Sequence, residues 1–223
     1  FDFGDKKVNY FEHGFSSLIN FEFKSNAHGS YEEIFSRYNR ILNDGLKGFG
    51  IVNYVSSHDD SGPFDKVRKR PYESATKLLL SPGTSQVYYG DESARSLVIE
   101  GTVGDATLRS FMNWDEFSDN QEILNHWYKL GQFRRNHPAI GAGKHKMISE
   151  QPYVFSRTYS KDDFQDSVVV CLKNSEEKTE IDVSGIFKND DILIDYYSGE
   201  KMTVKEGKVR TSSSHQVVLL EKI

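Results

Sequence analysis

Apolar and polar positions change texture near residue 140. Before it, short β-branched or aromatic runs alternate with stretches of helical period. Leu18-Ile19-Asn20-Phe21-Glu22-Phe23 reads as a strand. Ser30 and Glu33 stand three apart as a capping box, ahead of Ile34, Phe35, Tyr38, Ile41 and Leu42 at helical spacing, with Gly45 as the stop. Ile51-Val52-Asn53-Tyr54-Val55 is a β-branched second strand. Pro71 opens a short helix through Ala75, Leu78 and Leu79, which Ser81-Pro82 ends. Gln86-Val87-Tyr88-Tyr89 reads as a third strand closed by Gly90. A longer helix starts at Asp119 with Glu122 as its box partner, carries Ile123, Trp127 and Leu130 on one face, and ends before His137-Pro138.

Strands alternating with helices imply parallel pairing with right-handed crossovers. Three such units leave an unpaired edge and an uncovered face, so they do not make a complete parallel domain. Beyond residue 140 the period becomes two. Tyr153–Tyr159, Ser167–Leu172, Thr179–Val183, Ile192–Tyr196 and Gln216–Leu220 read as short strands, with turns at Asn189-Asp190-Asp191, Ser198-Gly199 and Glu206-Gly207. This spacing predicts an antiparallel sandwich of about 80 residues. The expected domains are therefore 1–140 and 141–223, with the boundary at Pro138, Gly141 and Gly143.

Composition narrows the function classes. The 223 residues carry 28 Lys+Arg against 33 Asp+Glu, a net charge of −5, which gives no electrostatic footprint for nucleic acid. The one basic cluster, Lys66-Val67-Arg68-Lys69-Arg70, precedes Pro71 and reads as a solvated loop. No apolar run approaches the roughly 18 residues that span a bilayer. The lone Cys171 excludes an intrachain disulfide and a thiolate metal site. An aromatic share of 13% suits a large core and equally a surface that stacks on sugars. Phe1-Asp2-Phe3-Gly4-Asp5 carries no initiator Met, basic region or apolar signal segment, so a fragment or a processed form is expected.

Candidate chemistry gathers behind the strands. Ser56-Ser57-His58-Asp59-Asp60 follows the second strand, at the end where parallel α/β folds collect ligands and catalysts. The same residues would also serve as a strand-end turn, with Asp59 as a cap and His58 bonded to backbone. A metal is not expected, because His13 and His28 lack ligand spacing to His58. Tyr88-Tyr89-Gly90-Asp91-Glu92 follows the third strand and would face the same cleft, or instead place Tyr88 in the core and use the acids in a turn. Trp114, within Leu108–Asp115, is either a sugar platform or a core residue packed on the last helix.

Taken in order, these motifs resemble the α-amylase family of glycoside hydrolases (family 13). Ser57-His58-Asp59 is similar to the family's "His-Asp" after the seventh barrel strand. Gly83 through Glu92 resembles its "Gly-x-Pro-x-Ile-Tyr-Tyr-Gly-Asp-Glu" across the eighth, and Gly14–Phe21 looks like its sixth. Phe133–Ala139 looks like its final barrel helix, and the strand-rich tail like its C-terminal domain. The sequence departs from the pattern at Ser57, usually Asn, at Ser85, usually Pro, and in Asp60-Ser61-Gly62, which lacks the Arg often found shortly after His-Asp, although Arg68 and Arg70 are not far away.

The resemblance implies the C-terminal part of a (β/α)8 TIM barrel followed by an antiparallel β-sandwich. It implies Asp59 as the catalytic transition-state stabiliser, His58, Asp60, Tyr89 and Trp114 as substrate-binding residues, and no cofactor or metal. The expected partners are an α-glucan or maltooligosaccharide and the missing N-terminal half of the barrel, with neither nucleic acid nor membrane, and the expected location is outside the cytoplasm, extracellular or periplasmic. Retaining glycosidases need two carboxylates about 5 Å apart. Neither the family's nucleophilic "Arg-x-Asp" nor its acid/base Glu motif occurs here, so the segment alone is expected to be inactive. A non-catalytic glucan-binding or partner-binding protein on the same scaffold is the alternative.

Overall fold

The computed structural model describes residues 2–3, 6–60, 62–172 and 178–223. Its chemistry-bearing element is a three-stranded parallel sheet, β1 (Ser17–Asn20), β2 (Gly50–Asn53) and β3 (Thr84–Ser85), in the order β1-β2-β3. Asparagines tie its C-terminal end. Asn20, level with Asn53 in the ladder, donates its amide to Asn53 Oδ1 at 2.8 Å. The fully buried Asn53 in turn donates to the Pro82 carbonyl at 2.8 Å. A buried amide with both ends satisfied fixes the strand ends to one another.

The first strand is shorter than expected. Asn20 Oδ1 accepts the Glu22 N–H and turns the chain, and buried Phe23 begins a short helical turn over Phe23–Asn26. Helix α1 (Tyr31–Arg40) has the expected capping box: Ser30 Oγ accepts from Glu33 N at 3.3 Å, and Glu33 Oε2 accepts from Ser30 N at 2.7 Å. It buries Ile34, Phe35 and Tyr38, with Tyr38 packed on Phe23 at 5.3 Å. The helix runs past its expected stop in a wider π-type turn, Ile41–Leu46. Helix α2 (Pro71–Leu79) starts on Pro71 as expected. Its buried Lys77 donates to the carbonyls of Ala27 and Gly29 at 2.7 and 2.9 Å and pairs with Glu73 at 2.5 Å.

The third strand falls short of Gln86–Tyr89. Only Thr84 and Ser85 join the ladder, and Gln86 adds one further bond from its N–H to the Asn53 carbonyl. From there the chain is claimed by its own loop: the Tyr88 carbonyl accepts from Asp91 N, and the Tyr89 carbonyl accepts from Arg95 Nε.

The chain divides into two compact units, Phe1–Leu124 and Asn125–Ile223. The division falls inside α3 (Gln121–Asn136), upstream of the change in sequence texture. The second unit continues with α4 (Pro138–Ala142), β4 (Lys144–Ser149), β5 (Tyr153–Lys161), β6 (Phe164–Leu172), β7 (Thr179–Asp182), β8 (Ile192–Asp195), β9 (Lys201–Thr203), β10 (Lys208–Thr211) and β11 (Val217–Lys222). An antiparallel sheet of order β9-β8-β11-β6-β5-β4 and an antiparallel pair β10-β7 make up its strands. Val154, Val169, Cys171, Ile181, Leu193, Val209, Val218 and Leu220 belong to one buried cluster drawn from both sheets. The sequence reading had no counterpart for β4, β9 and β10.

Candidate active site

The loop behind β2 alternates between burial and exposure over a few residues. Tyr54, Val55, Ser56 and Ser57 are buried, whereas the side chains of His58 and Asp59 are 63% and 59% exposed. Three ties hold this two-residue tip. On its N-terminal flank, Ser56 Oγ donates to Asp91 Oδ1 at 2.6 Å, and Arg68 Nη2 donates to the same oxygen at 2.8 Å. On the tip itself, Arg109 Nε donates to the His58 carbonyl at 3.0 Å. On its C-terminal flank, Asp60 receives Lys24 Nζ at 2.9 Å and the Tyr54 hydroxyl at 2.8 Å.

The two adjacent carboxylates therefore live in different surroundings. Among the described residues, Asp59 meets Ser57 Oγ at 3.2 Å and His58 Nε2 at 3.5 Å. Asp60 is turned inward, and although burial pushes its carboxyl up, hydrogen bonds from Lys24, Tyr54 and the Gly62 N–H outweigh that and hold it below the usual range. Tyr54 is pushed up, first by burial and then by its bond to Asp60.

Asp91, by contrast, is drawn into the interior. Asp91 is 1% exposed and ion-paired to Arg68, whose side chain is 10% exposed. This corrects the reading of Lys66–Arg70 as a solvated loop: Arg68 also donates to the Arg95 carbonyl at 2.7 Å, and Arg70 lies over the Phe64 ring at 4.1 Å.

Tyr89 is 43% exposed, and its hydroxyl donates to the Ser110 carbonyl at 2.8 Å. The Arg95 guanidinium sits 3.8 Å over its ring and donates to the Tyr89, Leu108 and Ser110 carbonyls. Gly90 makes this stack possible, since at φ 80° a Cβ would meet Arg95 at 2.5 Å. Trp114 is 70% exposed and packs on Phe117 at 5.2 Å. Among the described residues, no hydrogen bond or ring contact joins Trp114 to residues 56–60, and no group of three His, Cys, Asp or Glu side chains is arranged to hold a metal.

Sequence reasoning had no role for Lys24 or Arg95; it noted Arg68 near the His-Asp motif and Arg109 at the start of a motif, without assigning either a contact. Lys24 stands a few residues from a strand end and the three arginines lie further along the loops, and charges so placed are usually solvated.

No family model matches the chain. It is 35% identical over 164 residues to the periplasmic alpha-amylase of Escherichia coli strain K12, a match covering 71% of this chain and 24% of that protein. The chain belongs to the α-amylase family. The fold agrees. An Anoxybacillus alpha-amylase superimposes with a TM-score of 0.69 at 21% identity, over 95% of this chain and 48% of the other. The alpha-amylase of Geobacillus thermoleovorans, solved in complex with acarbose, does so at 0.66 and 17%, over 95% and 49%. The chain thus spans about a quarter of the curated relative and about half of each solved chain.

Proposed function

We propose that this segment is the C-terminal portion of an α-amylase-like glycoside hydrolase that cleaves α-1,4-glucans with retention. In this reading β1, β2 and β3 are strands six, seven and eight of a (β/α)8 barrel, and the second unit holds the accessory β-sandwich. The observation that carries it is the exposed His58–Asp59 tip, held by one buried tie, Ser56 to Asp91, and by the contacts of Arg109 and Lys24, beyond the C-terminal end of a parallel strand. Catalysis by electrostatic stabilisation needs a charged group fixed in place before charge develops. Asp59 meets that requirement, with a solvent-exposed carboxylate on an anchored backbone.

Asp59 grips the sugar hydroxyls and opposes the positive charge of an oxocarbenium-like transition state. His58 donates a hydrogen bond to the same sugar, and Tyr89 and Trp114 offer aromatic faces to the glucan. The nucleophile and the acid/base belong to the rest of the longer protein, so the segment alone does not turn over substrate. The similarity to a periplasmic alpha-amylase of Escherichia coli supports export.

The test is Asp59→Asn in the longer protein, assayed on a maltooligosaccharide. Loss of one preorganised electrostatic partner lowers kcat on the order of 10²–10³-fold, with KM changed far less. A loss no larger than that of Glu92→Gln would return Asp59 to a strand-end cap. The exposed Trp114 and Phe111 also suit a non-catalytic glucan-binding protein. Glucan binding without turnover by the longer protein would select that second reading.

A further inference from the structure

Asp60 invites assignment as a second sugar ligand, because it adjoins Asp59 at the strand end. Its contacts point elsewhere. Oδ1 takes Lys24 Nζ at 2.9 Å and the Gly62 N–H at 3.3 Å, and Oδ2 takes the Tyr54 hydroxyl at 2.8 Å. These donors come from three places: the helical turn after β1, the end of β2, and the chain beyond the tip. The Lys24 and Asp60 side chains are only 14% and 19% exposed, and Tyr54 is 1% exposed. A lysine kept this dry opposite a carboxylate is costly to desolvate, and the pair stands only because both partners are present with further hydrogen bonds.

We propose that Lys24, acting through Asp60, is a positioning residue for Asp59. This rests on the reading of Asp59 as the transition-state stabiliser. Only His58 and Asp59 stand between the Asp60 anchor and buried Ser57, whose neighbour Ser56 is fixed to Asp91. A two-residue span held on both flanks has little backbone freedom, so the direction of the Asp59 carboxylate is set by its anchors. The ion pair also cancels the charge of Asp60. Without Lys24, two neighbouring carboxylates would repel, and the loop would relieve the repulsion by moving. Misplacing a catalytic group by about 1 Å costs on the order of 10²-fold in rate.

The experiment is a double-mutant cycle in the longer protein, with Lys24→Met, Asp59→Asn and both together, read as kcat and KM on a maltooligosaccharide. Circular dichroism checks the fold of each variant. Lys24→Met is expected to lower kcat on the order of 10- to 100-fold while KM stays within about threefold. In the Asp59→Asn background it should add no more than about threefold, because its route of action is already gone. Lys24→Arg should recover most of the loss.

Tyr54→Phe removes one donor to Asp60 without changing the packing. It should shift kcat in the same direction by less, and it keeps the test intact if Lys24→Met fails to fold. Losses that multiply in the double variant would overturn the proposal, as would a rise in KM at unchanged kcat, the mark of a direct sugar contact. An Asp59→Asn variant with unchanged kcat would instead sink the reading beneath it, independently of the cycle.

Discussion

Asp59 and Asp91 are the same residue type at neighbouring strand ends, and the fold asks opposite things of them. The carboxylate of Asp59 faces solvent on an anchored tip, whereas that of Asp91 has no exposed surface and receives Ser56 and Arg68 on one oxygen. Removing one partner of a buried ion pair leaves the other uncompensated and costs about 3–5 kcal/mol. Asp91→Asn keeps the shape and one acceptor, so a loss at the lower end, about 3 kcal/mol, is expected in urea denaturation. Asp59→Asn should stay within about 0.5 kcal/mol of the parent, as for exposed positions generally. Equal losses at the two sites would contradict this division of labour. The sequence placed both acids in the loops that follow strands. It could not rank them, because burial of Asp91 is decided by Arg68 and Ser56, which are 23 and 35 residues away.

Local elements were legible where their signal is local. The Ser30/Glu33 box and Pro71 mark helix starts through bonds and dihedrals within one turn, and both helices begin there. Ser30→Ala should therefore cost about 1 kcal/mol, read as a lower thermal midpoint of the chain. An unchanged midpoint would mean that tertiary packing alone holds the first turn of α1. Strands were harder, because a ladder is settled by its partner. Gln86–Tyr89 has the composition of a strand, yet its carbonyls are taken by Asp91 and Arg95. Strand β9 has the reverse problem: only Met202 points inward between exposed Lys201 and Thr203, too short a run to show alternation. Both β4 and β9 are sheet edges bearing exposed lysines, which protect unpaired backbone from association and also hide the strands from a hydropathy pattern.

At the scale of the whole molecule, the change of period near residue 140 announced a β-rich second unit, but the unit itself begins earlier. The latter part of α3 is built into it: His126 bonds the Tyr197 hydroxyl at 2.7 Å, Lys129 donates to the Tyr197 carbonyl at 2.6 Å, and Phe133 packs on Tyr196 at 5.7 Å. A fragment of residues 121–223 should therefore give dispersed amide resonances, and one of 139–223 should lose dispersion around Tyr196 and Tyr197; equal spectra would make α3 dispensable. Within the same unit, His137 lies between two carboxylates, with Nδ1 2.8 Å from Asp166 on β6 and Nε2 2.5 Å from Glu221 on β11. Burial pulls the imidazole down, but bonds to Asp166 and Glu221 outweigh it and leave His137 above its ordinary 6.5. Asp166 is pushed up by burial, yet His137 and the Ala139 N–H hold it below its ordinary 3.8. The signs follow by linkage. The His137 contribution is complete below 6.5 and is lost as pH rises through its higher folded value. The Asp166 contribution is complete above 3.8 and is lost as pH falls through its lower one. The cluster thus stabilises most between these two ordinary values, and the 121–223 fragment should melt lower at about pH 8.5 than at about pH 6. His137→Gln removes the titrating group, so the difference between the two conditions should shrink in the variant. A wild-type fragment whose melting temperature is as high at the alkaline pH would show that the imidazole is not held charged between its two carboxylates.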